Sequence, residues 1–239
     1  MFFCQEDVAV MQANNLRNLI NWLMKHLTDT HFKGVENIPD TGGLLVATNH
    51  LSRMDIPLLF MIPNRPEMTA LVTTKYLKHP LIRWFIVSAN GIWLDRETAD
   101  FGAFRSAVKA LEEGKAVGIA PEGTRSKAGQ LAEGKPGTAL LALRAHVPII
   151  PVAITGTIGS FKKAITFQHP TITAEFGPVI PAPVLERGNR EQQLQNLTDE
   201  MMCQIAAMLP ESYRGFYANH LRVKELVAQR QASAKTSAA

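Results

Sequence analysis

Short apolar runs alternate with helix-like stretches along most of the chain. The apolar runs predict strands over residues 43–48, 68–73, 91–94, 116–120, 147–155 and 171–176, with one more over Phe161–Phe167. Between them, apolar residues three or four positions apart predict helices over residues 55–62, 81–88, 98–113, 136–146 and 190–209. Strands that alternate with helices indicate an α/β fold: one domain with a mixed, mainly parallel sheet flanked by helices.

An amphipathic helix is predicted ahead of this domain, over residues 11–27. Its apolar residues fall on one arc, which comprises Leu16, Leu19, Ile20, Leu23, Met24 and Leu27. Two interpretations of this arc remain open. The helix packs against its own domain, as most amphipathic helices do, or it lies in a membrane interface with Trp22 near the lipid headgroups.

The same pattern divides the chain into three parts. Residues 1–29 form the N-terminal amphipathic helical segment, residues 30–217 the α/β domain, and residues 218–239 a C-terminal helix with a disordered tail. From about residue 228 the chain is rich in Ala, Gln, Ser and Lys, a composition with too little apolar content to fold.

Composition narrows the functional classes. The chain has 239 residues and a net charge of +4, with the basic surplus concentrated from Arg214 onward. Its two cysteines, Cys4 and Cys203, are far apart, so neither a disulfide framework nor a metal site is expected. No stretch reaches the ~18–20 continuous apolar residues of a membrane span, and no signal peptide is recognisable. We therefore expect a protein of the cytosol or of a membrane surface, with nucleic acid as the least favoured partner.

Three polar clusters each follow an apolar strand. Thr48-Asn49-His50 follows the first strand, Asp95-Arg96 the strand at 91–94, and residues 121–126 the strand at 116–120. In open α/β sheets, ligands bind outside the carboxyl ends of parallel strands. If these strands are parallel, His50, Arg96 and Arg125 converge on one edge of the sheet and form a site there.

The first cluster contains His50 and, five residues later, Asp55. On an uninterrupted helix five residues rotate by about 500°, which places the two side chains on different faces. They meet only if His50 precedes the helix, with Ser52 as its N-cap and Asp55 in its first turn. Asp55 then holds one imidazole nitrogen and leaves the other free to take a proton. The alternative is a polar turn with a capping aspartate and an incidental histidine.

The third cluster offers the parts of a phosphate site. Backbone amides around Glu122 and Gly123, the Thr124 hydroxyl, the Arg125 guanidinium and the Lys135 ammonium follow a buried strand on a polar loop. The alternative is a solvated surface loop. No Gly-x-Ser-x-Gly elbow, reactive-cysteine context or His-Glu-x-x-His motif is present, so the simplest chemistry is base-assisted attack by a substrate hydroxyl on an acyl donor.

These residues resemble the glycerolipid acyltransferases typified by 1-acylglycerol-3-phosphate acyltransferase. The likeness rests on four sequence blocks, which occur in the same order as in that family. The first block is Asn49–Asp55 with its His-x4-Asp spacing, the second is Gly91–Arg96, the third is Pro121–Ser126 followed by Lys135–Gly137, and the fourth is Val147–Val152. The likeness covers about residues 30 to 217.

The resemblance implies a role for each block. His50 would be the general base and Asp55 would orient it, while Arg96, Glu122, Gly123 and Arg125 would hold the acceptor phosphate. The fourth block would shape the acyl pocket or the core. The implied reaction moves a fatty acyl chain from acyl-CoA or acyl-carrier protein, as co-substrate, to the sn-2 hydroxyl of 1-acylglycerol 3-phosphate, with no cofactor.

The resemblance leaves neighbouring functions open. The same chemistry could serve glycerol 3-phosphate, another lysophospholipid or a lyso-aminolipid, and a thioesterase or a non-enzymatic lipid-binding module is less favoured. Members of the family that cross the membrane carry apolar segments not found here, so we expect peripheral binding at the cytoplasmic face of a membrane. A lipid substrate gives the interfacial interpretation of residues 11–27 more weight.

Overall fold

One seven-stranded sheet organises the residues described by the computed structural model, which are 5–95 and 100–237. Its strands are β1 (Asp29–Lys33), β2 (Leu44–Thr48), β3 (Thr69–Thr73), β4 (Ile92–Leu94), β5 (Ala116–Ile119), β6 (Ile149–Thr155) and β7 (Thr171–Phe176). They lie in the order β1-β7-β6-β2-β5-β3-β4. Every neighbouring pair is parallel except β6 and β7, so the predicted mixed, mainly parallel sheet is confirmed.

Helices cover both faces of this sheet because its strands are apolar on both sides. The helices are α1 (Gln5–Leu27), α2 (Asp55–Phe60), α3 (Pro80–Ser88), α4 (Phe101–Glu112), α5 (Gly137–Ala145), α6 (Ser160–Ile165), α7 (Arg190–Met208) and α8 (Leu221–Ser237). On β2, Leu45 and Ala47 face a core built with α4, α5 and α7, whereas Leu44 and Val46 face a core built with α1 and α2. None of the helices within the described ranges has the length and apolarity to cross a membrane.

The prediction of a strand over Phe161–Phe167 is wrong, because this segment contains the short helix α6. The sheet has no place for a strand there. β6 pairs directly with β7, and the other edges of these two strands are occupied by β2 and β1. The segment therefore crosses between two paired strands outside the sheet. Strand β1 was not predicted, since its burial alternates only weakly along a largely polar stretch.

The prediction of a disordered tail from about residue 228 is also wrong, because α8 continues to Ser237. Tertiary contacts compensate for the weak apolar content of this helix. Val223 is fully buried, and Arg222 forms an ion pair with Glu200 on α7 at 2.8 Å. Arg230 forms a second ion pair, with Glu175 on β7.

Helix α1 packs on the domain with only part of its apolar arc. Leu16, Ile20 and Met24, spaced four residues apart, are buried against the core that contains α2. Arg17 adds two hydrogen bonds, to the carbonyl oxygens of Ile62 (2.6 Å) and Arg65 (2.8 Å). Leu19 and Leu23 of the arc point outward, together with the neighbouring Trp22, and these three residues are the exposed part of α1.

Candidate active site

A cavity of about 560 Å³ lies where β2, β3 and β5 end. These three strands are parallel, so their carboxyl ends meet at one edge of the sheet. His50 follows β2 and Arg125 follows β5, and both line the cavity. The structure thus brings together the first and third blocks, as the order of strands and clusters predicted.

The second block reaches the same edge through β4, which is parallel to β3. Asp95 follows β4 directly and its backbone N–H donates to the carboxylate of Asp100 at 2.9 Å, which caps α4. Arg96, predicted as a phosphate ligand, lies outside the described residues.

His50 and Asp55 form a direct hydrogen bond. Nδ1 of His50 lies 2.7 Å from Oδ2 of Asp55. Since an ionised carboxylate can only accept, Nδ1 carries the proton and Nε2 is the basic nitrogen of the neutral ring. The aspartate is almost fully buried, whereas the imidazole is partly exposed in the cavity. The pair can therefore act as a proton acceptor oriented by a buried charge.

The predicted interruption between the two residues is present, because α2 begins only at Asp55. The role predicted for Ser52 needs correction. Its hydroxyl accepts from the Met54 N–H at 2.9 Å inside the preceding turn and does not cap α2. Asp55 itself holds the turn, since its Oδ2 also accepts from the N–H groups of Leu51 and Ser52, both at 2.8 Å.

Glu122 is buried, and both of its carboxylate oxygens are engaged by backbone groups. Oε1 accepts from the His50 N–H at 3.0 Å, and Oε2 accepts from the Ala132 N–H at 2.9 Å. Burial raises the pKa of this carboxyl above its ordinary value, against the opposing effect of the two hydrogen bonds. The geometry gives Glu122 a positioning role on His50, which agrees with the expectation that this residue acts through hydrogen bonds and loop shape rather than through its charge.

The residues that follow Glu122 in the third block lie on the side that faces the cavity. Gly123, Thr124 and Arg125 line the cavity, and Gly123 has a φ of +71°, a conformation that favours glycine. Lys135 lies beside the loop: a Cβ added to Gly123 would be 3.3 Å from its Nζ. The Lys135 side chain is not part of the cavity lining, so it lies beside the predicted phosphate site and not within it.

Four further basic or aromatic side chains line the cavity and were missed in the sequence. They are Arg53, Lys75, Tyr76 and His79. Arg53 stacks over the Tyr76 ring at 5.9 Å. One signal was available: the last three follow β3, a parallel strand whose carboxyl end had to lie at the same edge. The fourth block, by contrast, is buried, which favours a role in the core over a role in the acyl pocket.

Comparisons with known proteins agree with this geometry. The family model described as "Acyltransferase" matches residues 29–155. A 1-acyl-sn-glycerol-3-phosphate acyltransferase of Borreliella burgdorferi is 29% identical over 179 residues, which cover 74% of this chain and 70% of that protein. The Bacillus subtilis protein of that name is 24% identical over 70% of this chain and 88% of its own length. The Limnanthes douglasii protein of that name is 33% identical over 56% of this chain but only 48% of its own length.

The fold also occurs among solved structures. The 1-acyl-sn-glycerophosphate acyltransferase of Thermotoga maritima superimposes with a TM-score of 0.62 at 23% identity, covering 84% of this chain and 80% of that one. Together with the family model and the named relatives, this fold and its His-Asp cavity define an α/β enzyme of acyl transfer. With the family model matching more than half of its residues, the chain belongs to the acyltransferase family.

Proposed function

We propose that the protein transfers a fatty acyl chain to the free sn-2 hydroxyl of 1-acylglycerol 3-phosphate, which gives phosphatidic acid for phospholipid biosynthesis. The observation that carries the proposal is the hydrogen-bonded His50–Asp55 pair in a cavity that also presents Arg125. The names of the relatives from Borreliella burgdorferi and Bacillus subtilis support this acceptor.

In the proposed reaction His50 acts as the general base. Its Nε2 takes the proton of the acceptor hydroxyl while the oxygen attacks the thioester carbonyl of acyl-CoA or acyl-carrier protein. The new C–O ester bond forms, the C–S bond breaks, and the imidazolium returns the proton to the departing thiolate. Asp55 stabilises the imidazolium that exists between these two transfers, and base catalysis of this kind is worth about 10²–10⁴-fold.

The basic side chains of the cavity suit the phosphate of the acceptor. Arg125 offers a planar fork of donors, and Arg53 and Lys75 add positive charge across the same cavity. Arg96 joins this group in the proposal on the strength of the second block alone. Apolar wall residues from α2 and β3, among them Leu59 and Val72, suit the acyl chain. The proposed reaction needs no cofactor beyond its acyl donor.

We place the protein at the cytoplasmic face of a membrane, as a peripheral protein, because its proposed acceptor is a lipid. The exposed part of α1 supports this placement: Trp22 is 57% exposed and Leu19 48% exposed, on a helix already fixed to the domain by Arg17. An apolar strip with tryptophan on a fixed surface helix is typical of interfacial binding.

The test is thiol release from acyl-CoA and from acyl-carrier protein, with a panel of acceptors and mass spectrometry of the products. We expect 1-acylglycerol 3-phosphate to be the best acceptor and His50→Ala to abolish transfer, with His31→Ala on the edge strand β1 as a matched control. Arg125→Ala should mainly raise the KM for the acceptor, and Arg144→Ala on α5 should leave it unchanged. Thiol release that needs no acceptor would instead make the protein a thioesterase.

A further inference from the structure

A second apolar surface lies around α6, in the segment that connects β6 to β7. We call it the α6 surface and define it as Ile158, Phe161, Lys162, Lys163, Ile165 and Phe167. Its four apolar side chains are exposed by 50%, 63%, 55% and 73% respectively. Such a concentration of exposed large apolar groups within ten residues is unusual for a soluble surface and marks an interaction site.

The core does not require these side chains. Helix α6 is held by its opposite face, where Ser160 and Ala164 are buried. The Ser160 hydroxyl donates to the Thr157 carbonyl at 2.8 Å and fixes the start of the helix. Polar residues at the two phenylalanine positions would therefore satisfy the fold equally well, so the apolar character calls for an external partner.

The α6 surface lies at the edge of the sheet that carries the cavity. β6 ends at Thr155 and is parallel to β2, whose end leads into His50. A Cβ added to Gly129, in the loop of the third block, would be 3.0 Å from the Ile158 side chain. The α6 surface therefore begins against a loop that shapes the catalytic site.

The other end of this segment meets the start of β1, directly after α1. The Pro170 carbonyl accepts from the Asp29 N–H at 3.1 Å, and Asp29 follows the end of α1 after a single residue. The α6 surface thus lies between the catalytic edge and the helix for which membrane contact is proposed above.

Charge indicates what covers this surface. Lys162 and Lys163 lie among its apolar residues, and residues 156–170 contain no aspartate or glutamate. Apolar side chains interleaved with lysines match the interface of an anionic bilayer, where the rings enter the headgroup region and the ammonium groups meet lipid phosphates.

We propose that the α6 surface docks on an anionic lipid bilayer and so holds the catalytic edge of the sheet against the membrane. The inference rests on the proposed function, since a lipid acceptor gives the enzyme a reason to work at a bilayer. It assigns to α6 a contact separate from that of α1.

The experiment measures partitioning of the full chain onto vesicles of phosphatidylglycerol and phosphatidylcholine. Phe161→Ser/Phe167→Ser should lower the partition coefficient about tenfold or more, in line with the apolar area removed. Lys162→Glu/Lys163→Glu should lower it on anionic vesicles, and added salt should reduce this difference. The matched control is Val184→Ser, which is 86% exposed and follows Ile180, itself paired with Ile149 at the opposite end of the sheet.

Each variant is also assayed with a short-chain, fully soluble acceptor, on which turnover should stay within about twofold of wild type. Partitioning of the α6 variants equal to that of wild type overturns the docking proposal. Concentration-dependent self-association that the α6 variants abolish, without vesicle binding by the wild type, overturns it in favour of a second copy of this chain. If vesicle binding depends on α6 but no acceptor is acylated, the docking stands and the proposed function fails.

Discussion

Replacement of Asp55 by asparagine separates the charge of this side chain, to which the proposed function assigns a role in catalysis, from its structural role. All three donors that reach this side chain, the His50 imidazole and two backbone N–H groups, converge on Oδ2. Oδ1 is buried and has no hydrogen-bond partner among the residues that the structure describes. The amide oxygen of asparagine can therefore replace Oδ2 and keep all three bonds, including the one that fixes the imidazole tautomer.

What Asp55→Asn removes is the attraction between the carboxylate and the imidazolium that forms during transfer. Two unit charges about 4 Å apart interact by about 4 kcal/mol at an effective dielectric constant of 20. Since each 1.36 kcal/mol is a factor of ten in rate, we expect turnover to fall about 10³-fold. The new amide NH2 is buried at the position of Oδ1, so we expect a stability cost of about 1–3 kcal/mol.

Asp55→Ala provides the structural comparison, because it leaves the Leu51 and Ser52 N–H groups without their acceptor. A cost of about 2–5 kcal/mol corresponds to a Tm roughly 5–15 °C lower in a domain of this size. The assays are thiol release under saturating substrates and thermal unfolding of each variant. An Asp55→Asn protein with turnover within threefold of wild type would refute the role of the carboxylate charge. Equal losses of Tm in Asp55→Asn and Asp55→Ala would refute the claim that asparagine keeps the hydrogen bonds of the turn.

Three further predictions concern groups outside the cavity. Arg65 is fully buried and donates to the carbonyls of Pro39, Gly42 and Gly114, so Arg65→Ala should lower the free energy of unfolding by about 3–5 kcal/mol in denaturant titrations. Burial raises the pKa of the Cys203 thiol to about 12, so in a Cys4→Ser background no thiol should react at pH 8 until the chain is unfolded. The hydrogen bond from Arg222 lowers the pKa of Glu200, so the ionised carboxylate stabilises the fold above its ordinary pKa of 4.5, and this stabilisation is lost as the pH falls through the lowered pKa. Glu200→Gln should therefore have a lower free energy of unfolding than wild type at pH 7, and the two proteins should be equally stable in acid.

The sequence predicted the sheet and the contact between His50 and Asp55 well because both depend on local signals. Apolar runs such as residues 43–48 and 116–120 are bounded by turn residues, and the parallel order of these strands then places the polar residues that follow them at one edge of the sheet. The requirement that His50 precede the helix of Asp55 follows from helix geometry alone. These inferences need no knowledge of distant contacts.

The predictions from the sequence are wrong where contacts between residues distant in the chain determine the structure. Residues 161–167 are apolar enough for a strand, but β6 and β7 are already paired on both edges, which only the completed sheet reveals. Helix α8 extends to Ser237 through ion pairs with α7 and β7 that its own composition does not show. The partners of Glu122 are backbone N–H groups, one of them 72 residues away, and a backbone donor leaves no trace in a sequence.

These backbone contacts explain why the first and third blocks work as one unit. The N–H of His50 donates to Glu122, and the carbonyl of His50 accepts from the Ser126 N–H at 2.8 Å, so the third block holds His50 on both sides of its backbone. Asn49, fully buried, adds a third connection by bonding both the N–H and the carbonyl of Ile154 on β6. Strands β2, β5 and β6 thereby fix the position of one imidazole before any substrate binds, and such preorganisation is the part of catalysis that a folded chain can supply in advance. Under the proposed function, the acid in the third block positions the base, and the neighbouring Arg125 lines the cavity and remains available to the substrate.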